Sequence, residues 1–207
     1  MTGESEHAQP LRRADAEEDP SRQFGAWFAE ASAAAIRLPE AAALATASAE
    51  GAPSVRMVLV KDYADDRFVF YSNHSSRKGR ELAANPRAAL LFHWDVLGRQ
   101  VRIEGPVARV DAQETAAYVR SRPRGSQIGA LASPQSQVVE SREELERFVA
   151  ELGARLGEGE PPLPSGWGGF ALSAETYEFW QQRADRLHDR LRYRREQGRW
   201  VIERLAP

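Results

Sequence analysis

The sequence predicts a mainly β fold of the α+β class, a barrel of antiparallel strands with flanking helices. Short apolar runs alternate with turn residues, first at residues 50–53 and again at residues 64–66. Two hairpin-like connections within about 30 residues favour antiparallel pairing over βαβ units. Strand-like runs return in the last third of the chain, after a stretch of helical patterns. Many short strands interrupted by helices are typical of a barrel.

The chain is expected to begin with a flexible tail and to continue as one domain. Residues 1–18 are polar and charged and have no hydrophobic periodicity, which predicts the tail. Residues 19–207 are then the single domain. Asp19 followed by Pro20 is typical of a helix start, and apolar residues at helical spacing predict a helix to about Ile36.

Strands are expected after that helix. Alternating and apolar runs predict strands over residues 43–48, 54–63, 67–72, 88–96 and 99–110. A short basic helix is expected between the third and fourth of these, from Ser75 to Asn85, because Pro86 ends it. Gly105 and Pro106 predict a bulge or a bend in the fifth strand.

Two more helices and four strands complete the expected fold. Asp111 and Ser141 have the capping pattern of helix starts. The second of these helices has an apolar stripe, which predicts that it packs on the core. The stripe consists of Leu145, Phe148, Val149 and Leu152. A loop rich in proline and glycine covers 161–169, and the last strands are expected at 168–174, 176–182, 189–196 and 199–205.

Composition excludes several classes of function. The 28 Lys and Arg against 30 Asp and Glu give a net charge of −2, which disfavours a nucleic-acid binder. The chain has no cysteine, so disulfides, thiolate catalysis and cysteine-ligated metal sites are excluded. The four histidines are widely spaced, and neither a phosphate-loop motif nor a bilayer-length apolar run occurs. We therefore expect a cytoplasmic enzyme without metal, nucleic-acid or membrane partners.

The stretch from Trp180 to Arg190 concentrates cations around one histidine. On a strand, Arg186, His188 and Arg190 would project from one face. On a helix, Arg186 and Arg190 would still stack four residues apart. Fixed cations beside an imidazole suit an anionic ligand that undergoes proton-coupled chemistry. A solvated, arginine-rich edge is the alternative, and the spacing leaves both open.

A phosphate site is predicted around the short basic helix. Ser72 ends a strand, and the segment from Ser75 to Lys78 opens the helix with hydroxyls, backbone N–H groups and two cations. A basic helix face open to solvent is the alternative. Arg56 could contribute from a neighbouring strand. Lys61 lies five residues further on, so a regular strand places the two on opposite faces. Either they serve different ligands, or a bulge intervenes, or one of them has no role in binding.

A second polar cluster follows the helix that starts at Asp111. Its segment, 118–137, is turn-prone, and two arginines flank Pro123, an arrangement that suits bidentate capture of a phosphate or carboxylate. A flexible surface loop would have the same composition. The candidate ligand-binding residues are Tyr118, Arg122, Arg124, Ser126, Gln127, Gln135 and Ser136.

These segments together resemble the pyridoxine/pyridoxamine 5'-phosphate oxidase family. The resemblance runs in order from about Asp19 to the C-terminal RLAP. Its blocks are RMVLVK (56–61), FYSNHSSRKGREL (70–82), NPRAALLFHW (85–94), RQVRIEG (99–105), SRPRGSQIGALASPQSQ (121–137), PLPSGWGGF (162–170), EFWQ (178–181) and RLHDRLRY (186–193). The chain departs from the family at its front, where residues 11–14 have the cations of an Arg-[Arg/Lys]-x-Tyr segment but no tyrosine.

The resemblance implies an FMN-binding split β-barrel and a homodimer with flavin at the subunit interface. It implies oxidation of pyridoxine or pyridoxamine 5'-phosphate to pyridoxal 5'-phosphate, with O2 reduced to H2O2. The implied FMN ligands are Arg56, Met57, Val58, Leu59, Val60, Lys61, Tyr71, Ser72, Arg77, Lys78, Gln100, Gln135, Ser136, Trp180 and Arg190. The implied substrate contacts are Lys61, Tyr118, Arg122, Ser126, Leu187 and the catalytic pair Arg186 and His188.

Two alternatives to this function are compatible with the sequence. A related FMN-dependent oxidase could act on another ring system, such as a phenazine precursor, although the intact SRPRGSQ block disfavours this. A protein that carries FMN or pyridoxal phosphate without catalysis is the other alternative. Such a carrier would hold its ligand but consume no oxygen.

Overall fold

A closed barrel of six antiparallel strands is the centre of the fold, and three further strands extend its sheet. The computed structural model describes residues 10–207. Within them the strands are β1 Ala41–Ala47, β2 Pro53–Ala64, β3 Arg67–Asn73, β4 Arg87–Trp94, β5 Arg99–Arg109, β6 Trp167–Ser173, β7 Thr176–Gln181, β8 Asp189–Glu196 and β9 Arg199–Arg204. The α-helices are α1 Pro20–Ala33, α2 Arg77–Ala84, α3 Ala112–Ser121, α4 Arg124–Ala132 and α5 Arg142–Leu156.

The strand pairing closes the barrel. The order around it is β4-β1-β2-β3-β6-β5, and pairing between β4 and β5 completes the circle. From β5 the sheet continues through β7 and β8 to β9. Each of these pairings is antiparallel. The predicted mainly β barrel with flanking helices is confirmed, and each expected strand end lies within two residues of the observed one.

Helix α1 covers the apolar interior of the barrel. The ring of Phe24 meets Tyr63, Phe68 and Phe92 edge-on, with centroids 4.9 to 5.0 Å apart. Phe24 and the two phenylalanines are at most 1% exposed. Because fully burying a phenylalanine contributes about 2 kcal/mol, this contact helps to fix the helix on the barrel.

The ends of α1 follow local rules. The carboxylate of Asp19 accepts a hydrogen bond from the Ser21 N–H at 2.9 Å, which is the expected N-cap. The helix ends at Ala33 rather than near Ile36. Ala35 has a left-handed backbone, with φ of +56°, which interrupts the helix before the apolar pattern ends.

The chain contacts the sheet before the expected domain start at residue 19. The Leu11 side chain is 7% exposed, its N–H donates to Asp189 at 3.2 Å, and its carbonyl accepts from Arg204 at 2.8 Å. The Tyr193 hydroxyl donates to the Glu17 carbonyl at 2.8 Å. Residues of the predicted tail, from Leu11 on, therefore contact the sheet. Residues 1–9 of that tail lie outside the described residues.

A bulge in β2 lies at Lys61 but does not bring it to the face of Arg56. Val60 pairs with Phe70, but the next pair is Asp62 with Val69, so Lys61 is the extra residue. Lys61 is exposed like Met57 and Leu59, whereas Arg56 is partly buried on the face of Val58 and Val60. The two cations therefore lie on opposite faces, as regular alternation of the strand predicts.

Gly105 marks the place where β5 changes its neighbours. Up to Glu104 the strand pairs with β7, and from Val107 it pairs with β6. A Cβ on Gly105 would lie 1.9 Å from the carbonyl oxygen of Ser173, so a larger residue does not fit. The expected bulge or bend at Gly105 is thus a change of partner within one continuous strand.

Helices α4 and α5 depart most from the sequence-based expectation. Helix α4 forms where a turn-prone loop was predicted, and buried Gln127 and Ile128 anchor it. Helix α5 begins after Ser141 as expected, but none of its residues is buried. The prediction that its apolar stripe packs on the core is wrong. The stripe packs against α4 and leaves an open groove of about 640 Å³ beside Phe148 and Leu152.

Two kinds of feature are absent from the described part of the chain. Among residues 10–207, no helix is both long and apolar enough to cross a membrane. The same residues contain no group of three or more histidine, aspartate and glutamate side chains arranged to hold a metal ion.

Candidate functional site

The N-terminus of α2 and the end of β3 form one polar cluster. Ser76 caps the helix, accepting from the Gly79 N–H at 3.3 Å. The Lys78 ammonium donates to Ser72 Oγ at 2.8 Å and to Gln135 Oε1 at 3.2 Å, and Ser72 Oγ donates to the same Gln135 oxygen at 2.9 Å. The helix N-terminus and this ammonium together favour an anion.

The surroundings of Lys78 favour the binding of an anion. Burial lowers its pKa, and the positive charge of Arg56 lowers it further. Both effects disfavour the charged ammonium. The negative charge of an anion bound beside Lys78 would favour it again. Ser136, next to Gln135, has a left-handed backbone with φ of +68°, which is uncommon for serine and marks a constrained turn at the cluster.

Glu81 connects the cations around this cluster. Its carboxylate accepts from Thr46 at 2.5 Å, Ser54 at 2.6 Å, Arg77 at 2.9 Å and Arg56 at 3.2 Å. Burial alone would raise its pKa, but the hydrogen bonds from these four residues outweigh burial and lower the pKa to about 2. Glu81 therefore stays ionised and ties β1, β2 and α2 together.

A second pocket lies between α3, α4 and the start of β6. It has a volume of about 320 Å³. Its lining residues are Asn73, Arg122, Ser126, Gly129, Ala130, Ser133, Gln135 and Trp167. Nη1 of Arg122 is buried and has no hydrogen-bond partner among the described residues. Because a buried, unpaired cationic N–H is costly, this atom points to an anionic ligand.

Aromatic rings form one wall beside this pocket. Tyr71 and Tyr118 stack with centroids 3.7 Å apart and planes 12° apart, and Trp167 lies nearly parallel to both. Burial is the main cause that raises the pKa of Tyr71, to about 12, and it also raises the pKa of Tyr118. Both phenols are therefore neutral near pH 7 and can donate hydrogen bonds.

The stretch from Trp180 to Arg190 is neither one strand nor one helix. It ends β7, makes a short 3-10 turn over Ala184–Arg186 and starts β8. Asp185 and Arg186 have left-handed backbones, with φ of +55° and +59°. Both regular geometries considered for this stretch are therefore wrong, and Arg186 does not share a strand face with Arg190.

His188 packs on Trp180 at this turn. The two ring centroids are 4.5 Å apart. The Arg183 backbone N–H donates to Nδ1 of His188 at 3.2 Å, so the neutral imidazole carries its proton on Nε2. The neighbouring Leu187 side chain is 69% exposed. The turn thus presents its side chains outward.

Gln100, Trp180 and Arg190 form a row across β5, β7 and β8. They are direct partners in the sheet pairing. Nε of Arg190 donates to Glu178 at 2.8 Å, and the hydrogen bond to this carboxylate raises the arginine pKa. Their strand neighbours Val101 and Leu191 are fully buried, so the row faces away from the barrel core.

The row and the pocket are built from different parts of the fold. The row lies on β5, β7 and β8. The pocket is lined by the end of β3, the start of β6, α4 and the segments that flank α4. Apart from residues 57–61, the predicted site residues therefore fall into two sets in one chain, which we call the pocket set and the turn set.

The pocket set is the larger of the two. Its members are Arg56, Tyr71, Ser72, Arg77, Lys78, Tyr118, Arg122, Ser126, Gln135 and Ser136. The turn set has Gln100, Trp180, Arg186, Leu187, His188 and Arg190.

Residues 56–61 alternate between the two faces of β2. Val58 and Val60 turn toward the core, and Met57 and Leu59 are exposed on the other face. Lys61, on the bulge, forms an ion pair with Glu40 at 3.4 Å.

Two residues near the pocket differ from expectation. Arg124, considered with Arg122 as an anion ligand, instead donates to the carbonyls of Gly157 and Gly159 at 2.5 and 2.6 Å. Trp167 was not among the predicted site residues, although it lines the pocket and stacks with Tyr118. Its block, PLPSGWGGF, was recognised, but a tryptophan beside glycines has no charge to suggest a ligand.

Comparison with known families accounts for nearly all of the described chain. The family model described as pyridoxamine 5'-phosphate oxidase matches residues 28–162. The model described as pyridoxine 5'-phosphate oxidase C-terminal dimerisation region matches residues 167–207.

Curated relatives match over most of their length. The pyridoxine/pyridoxamine 5'-phosphate oxidase of Salinibacter ruber is 52% identical over 200 residues, covering 95% of this chain and 93% of the relative. The enzyme of the same name from Rubrobacter xylanophilus is 54% identical over 193 residues, covering 93% and 88%.

Solved structures share the architecture. PhzG from Burkholderia lata 383, in complex with tetrahydrophenazine-1-carboxylic acid, superposes with a TM-score of 0.88 at 34% identity, covering 95% of this chain and 98% of PhzG. A pyridoxamine 5'-phosphate oxidase-related, FMN binding protein from Nostoc punctiforme has a TM-score of 0.71 at 16% identity, covering 92% and 100%, a likeness of fold alone. With its split barrel and both family regions present in order, this chain belongs to the pyridoxine/pyridoxamine 5'-phosphate oxidase family of enzymes.

Proposed function

We propose that this protein oxidises pyridoxine 5'-phosphate or pyridoxamine 5'-phosphate to pyridoxal 5'-phosphate, using FMN and reducing O2 to H2O2. The observation that carries this proposal is the buried, unpaired Nη1 of Arg122 in a pocket beside neutral tyrosines. Among the described residues no carboxylate pairs with the Arg122 guanidinium, so it can bind the phosphate of a ligand. Membership of the family supports the same chemistry.

The polar cluster at α2 fits the phosphate of FMN. Lys78, Ser72 and the capped N-terminus of α2 supply an ammonium, a hydroxyl and backbone N–H groups. Arg56 and Arg77 add two guanidinium groups oriented by Glu81. Bound FMN supplies the two-electron redox chemistry, and the protein supplies binding and orientation.

The pocket between α3 and α4 fits the phosphate of the substrate. Arg122 would donate Nη1, Ser126 would donate its hydroxyl, and Tyr118 would donate its phenol, which burial keeps protonated. We propose Lys61 as a further contact, since its side chain is exposed at the bulge of β2. Anchoring the phosphate would hold the reacting carbon in place, which is a large part of catalysis.

The turn set would cover the other side of the substrate. Trp180 orients His188, whose proton lies on Nε2. We propose that Arg186 and His188 hold the pyridine ring and stabilise charge that develops on it. Neither residue is assigned as an obligatory general base. Leu187 would add apolar contact, because it is exposed between them.

A homodimer would unite the two sets. The outer face of β2 exposes Val55, Met57 and Leu59, an apolar row that suits burial against a second copy. The matched C-terminal dimerisation region, 167–207, contains the whole turn set except Gln100. We therefore propose that the pocket set of one subunit and the turn set of its partner build each FMN and substrate site.

Absorbance and peroxide formation test the proposed function. The purified protein should show a flavin spectrum or acquire one with added FMN, and pyridoxine 5'-phosphate should then yield H2O2. Unphosphorylated pyridoxine is the matched control and should react far more slowly, because it lacks the group that Arg122 binds. A protein that fails to bind FMN would contradict the proposal. Bound FMN without peroxide formation would instead indicate a carrier.

The structural likeness to PhzG supports one alternative, oxidation of a tricyclic carboxylic acid. Tetrahydrophenazine-1-carboxylic acid, the compound bound to PhzG, has a carboxylate and no phosphate, and a guanidinium such as that of Arg122 binds either anion. Substrate competition separates the two functions. Faster oxidation of the phenazine precursor than of pyridoxine 5'-phosphate would favour the alternative.

A further inference from the structure

Arg122 is held by an aromatic face rather than by a carboxylate. Its guanidinium carbon lies 4.8 Å from the ring centroid of Trp167. Within residues 10–207 its side chain forms no ion pair, and Nη1 is buried without a partner. By contrast, Arg56 and Arg190 each contact a carboxylate within 3.2 Å. The cation in the pocket is therefore fixed in place but not neutralised.

Trp167 is itself rigidly placed. The backbone N–H of Trp167 donates to the Pro164 carbonyl at 3.1 Å. As the first residue of β6, Trp167 pairs with Asn73. Its ring is within 8° of parallel to Tyr118. Behind it, a Cβ on Gly168 would lie 2.9 Å from the His74 ring, so the backbone next to Trp167 lies close to His74 and has no space for a side chain. The indole is a fixed platform.

The backbone of Arg122 is fixed from the other side. Buried Gln127 donates its side-chain amide to the Arg122 carbonyl at 2.8 Å. The side chain therefore spans a short distance between two fixed points, the α3 terminus and the indole face. A carboxylate in place of the indole would compete with a ligand phosphate for the guanidinium, whereas an aromatic face leaves the N–H groups free.

We propose that Trp167 is the positioning residue of the substrate pocket, which holds Arg122 by a cation–π contact and leaves Nη1 for the ligand phosphate. This deepens the proposed function and rests on it. Trp167 acts through Arg122 and needs no contact with the substrate itself. The indole thus determines preference for phosphorylated over unphosphorylated ligands.

Aromatic and aliphatic substitutions at Trp167 test the proposal. Trp167→Leu should raise KM for pyridoxine 5'-phosphate about tenfold and change kcat less than about twofold, since the contact orients the phosphate ligand only. Trp167→Phe should recover most of the loss. Trp200→Leu is the matched control, because Arg195 lies 4.3 Å from the Trp200 ring at the far edge of the sheet, and its KM should stay unchanged.

Fluorinated tryptophan separates cation–π attraction from packing. Replacing the five tryptophans by fluorotryptophans keeps ring shape but weakens the negative face. KM should rise with each added fluorine, and the dependence should vanish in the Trp167→Phe background. A KM that is independent of fluorination would overturn the proposal, even if Trp167→Leu does not fold.

A binding measurement keeps this test independent of oxidase activity. Calorimetric titration of the FMN-treated protein with inorganic phosphate should show weaker binding in Trp167→Leu than in wild type or Trp200→Leu. Suppose that phosphate binds more weakly to Trp167→Leu than to the wild type, but the wild type oxidises no pyridoxine 5'-phosphate. The proposed function is then wrong, whereas the role of Trp167 is supported. Equal phosphate affinity in all three proteins would overturn the role.

Discussion

The pocket set and the turn set differ in how far one chain completes them. In the pocket set, Lys78, Ser72 and Gln135 contact one another, and Glu81 fixes the neighbouring arginines. In the turn set, Leu187 is 69% exposed and Arg186 lies on a left-handed turn. The difference indicates that one chain preorganises a cation-rich pocket but leaves the turn residues exposed, which agrees with our proposal that a partner subunit completes the site.

The largest expected effect concerns the carboxylate that organises the pocket set. Glu81→Gln should lower the free energy of unfolding by about 3 kcal/mol, because it leaves buried donors and the Arg56 cation without their anion. Chemical denaturation measures it. Glu203→Gln is the control, since Glu203 accepts from Arg192 and Arg194 at the exposed sheet edge, where solvent screens the charges, and its loss should change stability far less.

The stabilisation that Glu81 contributes should depend on pH. The folded-state pKa of Glu81, about 2, lies below its ordinary value of 4.5, so its stabilisation is fully present above that value and is lost as pH falls toward 2. The stability gap between wild type and Glu81→Gln should therefore shrink over this range. A stability difference that stays constant as pH falls from 4.5 to about 2 would contradict the lowered pKa of Glu81.

Arg122→Ala should act on substrate affinity. We expect KM for pyridoxine 5'-phosphate to rise about 30-fold with little change in kcat, because a charge-assisted hydrogen bond contributes about 2 kcal/mol. Steady-state peroxide assays measure both constants. Arg124→Ala is the neighbouring control, since Arg124 binds carbonyls of the loop after α5 and should leave KM unchanged.

Arg186→Ala should act on turnover instead. The expected result is a kcat about tenfold lower, since Arg186 is proposed to stabilise charge on the reacting ring. The melting temperature should not change, because the side chain is exposed. Arg183→Ala, at the same turn, keeps the backbone N–H that orients His188 and should retain kcat. Full kcat in Arg186→Ala would remove this residue from the mechanism.

The smallest expected effect is the pH dependence of FMN binding. In the proposed function the charged form of Lys78 binds the FMN phosphate, and burial and the charge of Arg56 lower its pKa below the ordinary value of 10.5. FMN affinity should therefore fall as pH rises toward 10.5, because the ammonium loses its proton below that value. Flavin fluorescence quenching measures it. Lys78→Arg keeps its charge and should show a flat profile, so parallel profiles would contradict the role of Lys78.

The sequence predicted the strands well and the loops poorly, for physical reasons. Apolar alternation follows directly from barrel geometry, so β8 and its neighbours were located closely. Helix α4 was missed because proline, glycine and serine in 121–133 conceal the buried pair Gln127 and Ile128. The core role given to α5 was wrong because an apolar stripe does not specify its partner.

The sequence named polar residues for the candidate site but not the way in which the fold arranges them. The family blocks named most of the polar residues that the fold brings to the pocket set, including Lys78 and Gln135. The bulge at Lys61 and the left-handed turn at Arg186 depend on tertiary contacts that no local pattern encodes. Trp167 acquires its importance only when folding stacks it under Arg122.

A heterodimer with two different defects tests most directly whether two chains share each site. Arg122→Glu and Arg186→Glu subunits, each inactive as homodimers, would be co-expressed with different tags and purified through both. In a symmetric dimer with shared sites, one site of the heterodimer has both defects and the other has none, so about half of wild-type activity should return. An inactive heterodimer would contradict the account, because it would mean that both residues serve the site of their own chain.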